Sequence, residues 1–312
     1  MAEPRITKPG VYDLDEAAYH ADPTPEPSLS ASIATKLITW SPRHAWQAHP
    51  RLNPDFEPEE SLIFDRGKAA HSLLLEGDAR VEVIDAPDWR TKAAKEARDA
   101  ARAAGRTPIL ERHWADVEAM ATAARAQLNS FDTGDRAFTD SKPELTLVWR
   151  EGPIWCRARP DWLPHKGETL WDMKTTGGSA EPDAWIRTNL FPRPALQAAF
   201  YLRGARAVLG WDNPEFRFVV QENKAPYQLS VIALAPSALA LAEAQVEAAI
   251  GIWAFCVAAD EWPGYPPHLA WAEAPSHVEW AWGERKIREQ VLKDAGKSPF
   301  GLPPLLNPLE AG

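Results

Sequence analysis

The chain has 312 residues, 45% hydrophobic and 25% charged, with a formal net charge of -10. This composition excludes collagen-like, coiled-coil and fully disordered chains, and the length supports a full core without covalent staples. Cys156 and Cys256 are the only cysteines, which excludes a disulfide framework, an iron–sulfur cluster and an all-cysteine zinc site. With 34 Lys and Arg against 44 Asp and Glu, a general nucleic-acid coat protein is disfavoured. Acidic metal ligands beside a local basic groove are compatible with that balance.

No run of about 18 consecutive apolar residues occurs. The longest candidate, 237–259, is interrupted by Glu243, Gln245 and Glu247. Residues 1–10 are polar and lack an apolar signal region. The expectation is a cytoplasmic protein with no membrane contact.

Taken in order, residues 1–29 read as an irregular lead, with Pro23, Pro25 and Pro27 alternating with polar residues. Ser30 or Ser32 caps a short helix carrying Ile33, Leu37 and Ile38, and Ser41-Pro42 ends it. Another helical turn spans 43–48, and an acidic, proline-punctuated loop spans 50–60. A helix over 62–76 places Ile63, Ala70, Leu73 and Leu74 on one face. Residues 91–104 and 111–128 read as two more helices, the first stopped by Gly105.

The pattern then changes to strands over 145–149, 154–162 and 169–174, turning at Gly152-Pro153 and at 165–167. After Gly177-Gly178 come helices over 184–187 and 195–209. A hairpin over 216–221 and 228–233 and a long helix over 237–259 complete the core. The expected fold is mixed α/β, a central mixed sheet flanked by helices in one domain over 1–297. Residues 78–142 form a helical insertion, and 298–312 a Pro/Gly/Leu-rich tail, partly disordered or partner-binding.

The strongest chemical signal is Pro160-Asp161, followed after ten residues by Asp172-Met173-Lys174. Asp172 and Lys174 are two apart on a strand and share a face. A short turn makes their strand the neighbour of the one ending at Asp161, so the carboxylates converge. Two carboxylates and a lysine are costly to bury for structure alone. They suit a divalent cation with a lysine that steadies charge on a phosphate. Alone, Asp-x-Lys is common, and a salt bridge at a strand edge is the better reading of it.

The flanking pattern decides between them. Pro160-Asp161 with Asp172-Met173-Lys174 resembles the signature of the PD-(D/E)xK nuclease superfamily, whose core is restriction-endonuclease-like. Gly67 to His71 resembles the Gly-x-x-x-His helix of RecB-type nuclease domains, and Gln197 to Tyr201 their Gln-x-x-x-Tyr motif. Ser30-Ala31-Ser32, Ser41-Pro42 and Trp262-Pro263-Gly264-Tyr265 resemble edges of the exodeoxyribonuclease VIII (RecE-like) family.

The resemblance implies metal ligands at His71, Asp161 and Asp172, with the Met173 backbone carbonyl and Glu144 assisting. It implies a catalytic Lys174, with Gln197 and Tyr201 facing the site. It further implies Mg2+, or Mn2+ in its place, and digestion of linear double-stranded DNA from 5′ ends. The 3′ single strands left behind would serve phage or prophage recombination through an annealing protein, and the enzyme would form a ring-shaped homo-oligomer. The alternatives are an endonuclease or single-strand nuclease of the same fold, or a non-catalytic DNA-end-binding protein. Asp161, Asp172 and Lys174 being present together speaks against the last. A glycosidase is disfavoured, because Asp-x-Lys on a strand does not supply its acid/base pair.

Two further features bear on DNA. Lys92, Lys95, Arg98, Arg102 and Arg106 are spaced to form a basic stripe that can track a phosphate backbone, or an ordinary solvated helix face. The 15 tryptophans are too dispersed for one stacking platform, and most are expected in the core. Trp185, read as lying on the loop side of the active strand, is the candidate for stacking on a base.

Overall fold

A computed structural model of the chain describes residues 6–57, 64–75, 81–131 and 141–298. The chain divides into two units, 1–264 and 265–312, a boundary inside the stretch expected as one domain. In the first unit, β1 (Gly10–Tyr12), α1 (Glu16–His20), β2 (Leu29–Ser30), α2 (Ala31–Thr39), α3 (Pro42–Gln47) and α4 (Phe64–Leu75) come first. Next are β3 (Val81–Ile84), α5 (Lys92–Ala103), β4 (Thr107–Leu110) and α6 (Glu111–Leu128). β5 (Ser141–Pro143), β6 (Thr146–Glu151), β7 (Ile154–Ala158), β8 (Trp162–Pro164) and β9 (Thr169–Thr176) follow. After α7 (Pro182–Trp185) and a π-helical turn (Ile186–Leu190) come α8 (Arg193–Leu209), β10 (Glu215–Glu222), β11 (Leu229–Ala233) and α9 (Pro236–Ala259).

Among the described residues the strands form two main sheets, ordered β1-β6-β7-β2 and β11-β10-β9-β8-β5. One bent ribbon joins them. Its inner part is the β6–β7 pair, turned at Gly152, which takes a left-handed φ of +59°. Its outer part is the β5–β8 pair. The stretch 154–162, expected as one strand, therefore breaks over 159–161. Pro160 has no N–H to give to a ladder, so regular pairing fails there. The facing strand breaks at Glu144, whose φ of +54° is left-handed and whose N–H bonds the Asp161 carbonyl at 3.0 Å. The bend in the ribbon is where the candidate site forms.

β9 runs parallel to β10, pairing Asp172 with Phe218 and Lys174 with Val220. Its period-two alternation sends Trp171 and Met173 into a cluster with Trp162, Leu128 and Val219. Leu170 faces the main core on the other side, with Phe200, Phe216 and Phe218. α8 crosses that core through Gly204, where a β-carbon would lie 2.7 Å from the Trp149 ring. Burying a tryptophan completely, as at Trp149, contributes about 4–6 kcal/mol of transfer free energy before entropy. α2 starts as expected, with the Ser30 hydroxyl accepting the Ile33 N–H at its N-cap. Trp262 meets Trp253 edge-on at 5.2 Å, and the Pro263 carbonyl accepts the Arg43 N–H, so two of the sequence motifs touch.

Two expectations are corrected. Stretch 78–142 is not purely helical: β3 and β4 form a parallel pair around α5, strands of four residues that a helical period passes over. Within that stretch, α6 packs Val117, Met120 and Ala121 against Ala69, Ala70 and Leu73 of α4. Finally, α9 is long and apolar enough by composition to cross a membrane despite its three polar interruptions. Its Ala242, Val246, Ala249, Ile250 and Trp253 are buried in the main core, where it packs on α2 and α8. Residues 62, 63 and 76 of the expected helix and 299–312 of the tail lie outside the described residues. The second unit contains α10 (Ser276–Asp294), with no buried residue and with Trp280 and Trp282 exposed.

Candidate active site

Four elements supply the site: α4, the bend of the ribbon, β9 and α8. His71 reaches it because α4 lies close against β9. A β-carbon at Gly67 would lie 2.7 Å from Thr175 Oγ1, so only glycine permits that approach, and His71 is one turn further along. From the other side, Arg125 of α6 bonds the Leu73 carbonyl at 2.5 Å and steadies the end of α4.

His71 Nε2 lies 2.9 Å from Asp161 Oδ2, and His71 Nδ1 lies 3.8 Å from Glu144 Oε1. One ligand atom from each of His71, Glu144 and Asp161 falls within 4.8 Å of the others. Asp161 Oδ2 also accepts the Met173 N–H at 2.6 Å, fixing the carboxylate to β9. Asp172 Oδ1 accepts from Gln197 Nε2 at 2.7 Å. Asp172 Oδ2 meets the Lys174 ammonium as an ion pair, without an aligned hydrogen bond.

Burial and mutual charge shift the proton affinities of the site residues. Burial pushes His71 toward its neutral form. The Asp161 charge and hydrogen bond, then Glu144 and Asp172, reverse this and raise its pKa. Burial would raise Asp161, but the His71 charge and hydrogen bond, Lys174 and the Met173 N–H hold it below its ordinary value. Burial lifts Asp172 to about 6, with Lys174 opposing and Asp161 adding to the rise.

The sequence candidates distribute as follows. The structure joins His71, Glu144 and Asp161 into one donor set, with Asp172, Lys174 and Gln197 linked beside it. Met173 enters through its backbone N–H. Tyr201 shares the α8 face of Gln197 but is nearly buried, edge-on to Phe216 at 6.0 Å, and burial raises its pKa well above normal. Trp185 is a correction: α7 turns it into the core against Phe218, 3% exposed, so it presents no face to a base. Lys92, Lys95, Arg98 and Arg102 lie on α5 as expected, whereas Arg106 falls beyond it and pairs with Glu82. Lys92 and Arg98 also have acidic neighbours, Glu96 and Asp99.

One site residue was missed. Arg159 donates through Nε to the Glu144 carbonyl at 3.0 Å and pairs through Nη2 with Glu144 Oε2 at 2.5 Å. The signal was available in the run Arg159-Pro160-Asp161, which places a cation two residues before a candidate ligand, while Arg157 of the same strand pairs with Asp22.

A family model described as a PDDEXK-like domain of unknown function (DUF3799) matches residues 32–272. The chain belongs to that family. The DUF3799 match takes in His71, Glu144, Asp161, Asp172, Lys174 and Gln197 together. The fold is correspondingly restriction-endonuclease-like. A solved structure of a presumed exonuclease from Eubacterium rectale superposes with a TM-score of 0.54 at 11% identity, covering 86% of this chain and 98% of its own. An alkaline exonuclease from Laribacter hongkongensis aligns at 15% identity and a TM-score of 0.29, covering 62% and 90%. The search of curated proteins finds no match.

Proposed function

We propose that this chain is a divalent-metal-dependent nuclease that hydrolyses DNA phosphodiester bonds. The observation that carries the reading is the convergence of His71, Glu144 and Asp161 on one point beside the Asp172–Lys174 pair. The donor set of two carboxylates and an imidazole suits a divalent cation. His71, Glu144 and Asp161 would hold the cation, with Asp172 and the Met173 carbonyl available beside them. When bound, it supplies Lewis-acid polarisation of the scissile phosphate and a water acidified for attack.

The chain's own residues do the rest. Gln197 fixes the direction of Asp172, and the Met173 N–H fixes Asp161, so neither carboxylate reorganises during reaction. The Lys174 side chain is 29% exposed and is tethered by Asp172, which supports a role for its ammonium in steadying charge that develops on the phosphate. The partial burial of His71, Glu144 and Asp161 lowers the local dielectric and strengthens each of these interactions.

The finer reading is a Mg2+- or Mn2+-dependent exonuclease of the exodeoxyribonuclease VIII type. It degrades linear duplex DNA from the 5′ end for phage or prophage recombination, with an annealing partner and a ring-shaped assembly. Sequence motifs support it. The α5 cations are the proposed track for the phosphate backbone.

The test is cleavage of linear duplex labelled at either the 5′ or the 3′ end, beside a closed circle, with Mg2+ or EDTA. The expected result is metal-dependent loss from the 5′ end, absent on the circle and abolished by Lys174→Ala. Cutting of the circle would replace the exonuclease by an endonuclease. DNA binding without cleavage of any substrate would overturn the catalytic reading.

A further inference from the structure

We propose that Arg159 is a positioning residue that presets Glu144 to receive the divalent cation. The inference rests on the reading of His71, Glu144 and Asp161 as the cation site.

Glu144 is held in a conformation that a glutamate does not choose. Its φ is +54°, and a non-glycine residue in the left-handed region costs about 1–2 kcal/mol. Two contacts hold it there. Its N–H bonds the Asp161 carbonyl, and its own carbonyl accepts from Arg159 Nε at 3.0 Å. The same guanidinium pairs through Nη2 with Glu144 Oε2. Arg159 thus grips the backbone and the side chain of one residue at once. The carboxylate oxygen facing His71 is the other one, Oε1, at 3.8 Å from Nδ1.

Arg159 is committed to Glu144. Its side chain is 14% exposed, and its guanidinium lies 6.0 Å from the centre of the buried Tyr19 ring. Tyr19 belongs to α1, which Glu16 ties to Lys68 of α4 at 2.6 Å. The guanidinium therefore acts through Glu144 and not on a phosphate. A lysine would not replace it, because an ammonium is a compact point donor without the planar fork that engages a carbonyl and a carboxylate together.

The experiment measures Mn2+ affinity by calorimetry on the full chain without DNA, together with kcat and KM on linear duplex. It compares wild type with Arg159→Met, Arg159→Lys, Glu144→Gln and the double variant Glu144→Gln/Arg159→Met. Orienting partners of metal ligands typically change affinity about 10–100-fold, and that loss is expected for both Arg159 substitutions. kcat should fall while KM stays unchanged, and the double variant should bind Mn2+ no more weakly than Glu144→Gln alone. If Arg159→Met does not fold, Arg159→Lys carries the test.

Unchanged Mn2+ affinity in Arg159→Lys, or fully additive losses in the double variant, would overturn the proposal. So would a wild type that binds no Mn2+. If wild type binds Mn2+ but cleaves no DNA, the nuclease reading falls, and the affinity series still decides the role of Arg159.

Discussion

Replacing Asp172 by Asn should make the metal-free protein more stable while abolishing cleavage. Asp172 is 2% exposed, and burial raises its pKa from 3.8 to about 6. The folded protein thus binds this proton more tightly than the unfolded chain. Stability contributed by that proton is full at pH values below about 4 and is lost as the pH rises to about 6. Above that, the ionised carboxylate costs the fold about 3 kcal/mol, from about two pKa units at roughly 1.4 kcal/mol each. Asn keeps an acceptor for Gln197 and carries no charge, while Lys174, 29% exposed, turns to water. Urea unfolding in EDTA at pH 8 should show the variant more stable by about 2–3 kcal/mol, with a Tm higher by roughly 4–8 °C. The difference should close by about pH 4. Mg2+ should then stabilise the wild type more than the variant. A variant less stable than wild type at pH 8 in EDTA would refute the reasoning, and Asp172 would be a stabilising partner of Lys174.

Other predictions concern the scaffold. Gly67→Ala should push α4 from β9, cost about 1–3 kcal/mol and lower activity; Thr175→Ala in the same chain should restore both, because it removes the Oγ1 2.7 Å from the new β-carbon. Asp22 is buried with Arg157, His49 and Ser28 around it, and these partners depress its pKa. Asp22→Ala should destabilise by about 3–5 kcal/mol in urea at pH 7, since Arg157 is left buried and unpaired. The Asp22 contribution is present above the unfolded pKa near 3.8 and should be lost as the pH falls through its lower folded value, so the variant's deficit should shrink in acid. Reversing Lys92, Lys95, Arg98 and Arg102 to Glu should weaken DNA binding and flatten its dependence on salt in a titration, leaving Mn2+ affinity unchanged.

Much of the site was legible because its chemistry follows local periodicity. Two-residue alternation put Asp172 and Lys174 together, and the four-residue helical step set Gly67 against His71 and Gln197 against Tyr201. The remainder depends on contacts that periodicity does not report. Glu144 reaches His71 only because the ribbon bends at Pro160 and Glu144 turns left-handed. The role of Arg159 depends on that same bend. Trp185 was misread because α7, only four residues long, gives too little pattern to show which way its ring points. β1 to β4 are two to four residues long and carry no alternation of their own. The lead looked irregular because Asp22 finds its buried partners at His49 and Arg157, far along the chain.

The most direct test is anomalous diffraction from a crystal of the full chain soaked in Mn2+. A peak coordinated jointly by His71, Glu144 and Asp161, lost in Asp161→Asn, is the predicted result. A well-ordered empty pocket at saturating Mn2+, with His71 still bonded to Asp161, would contradict the account.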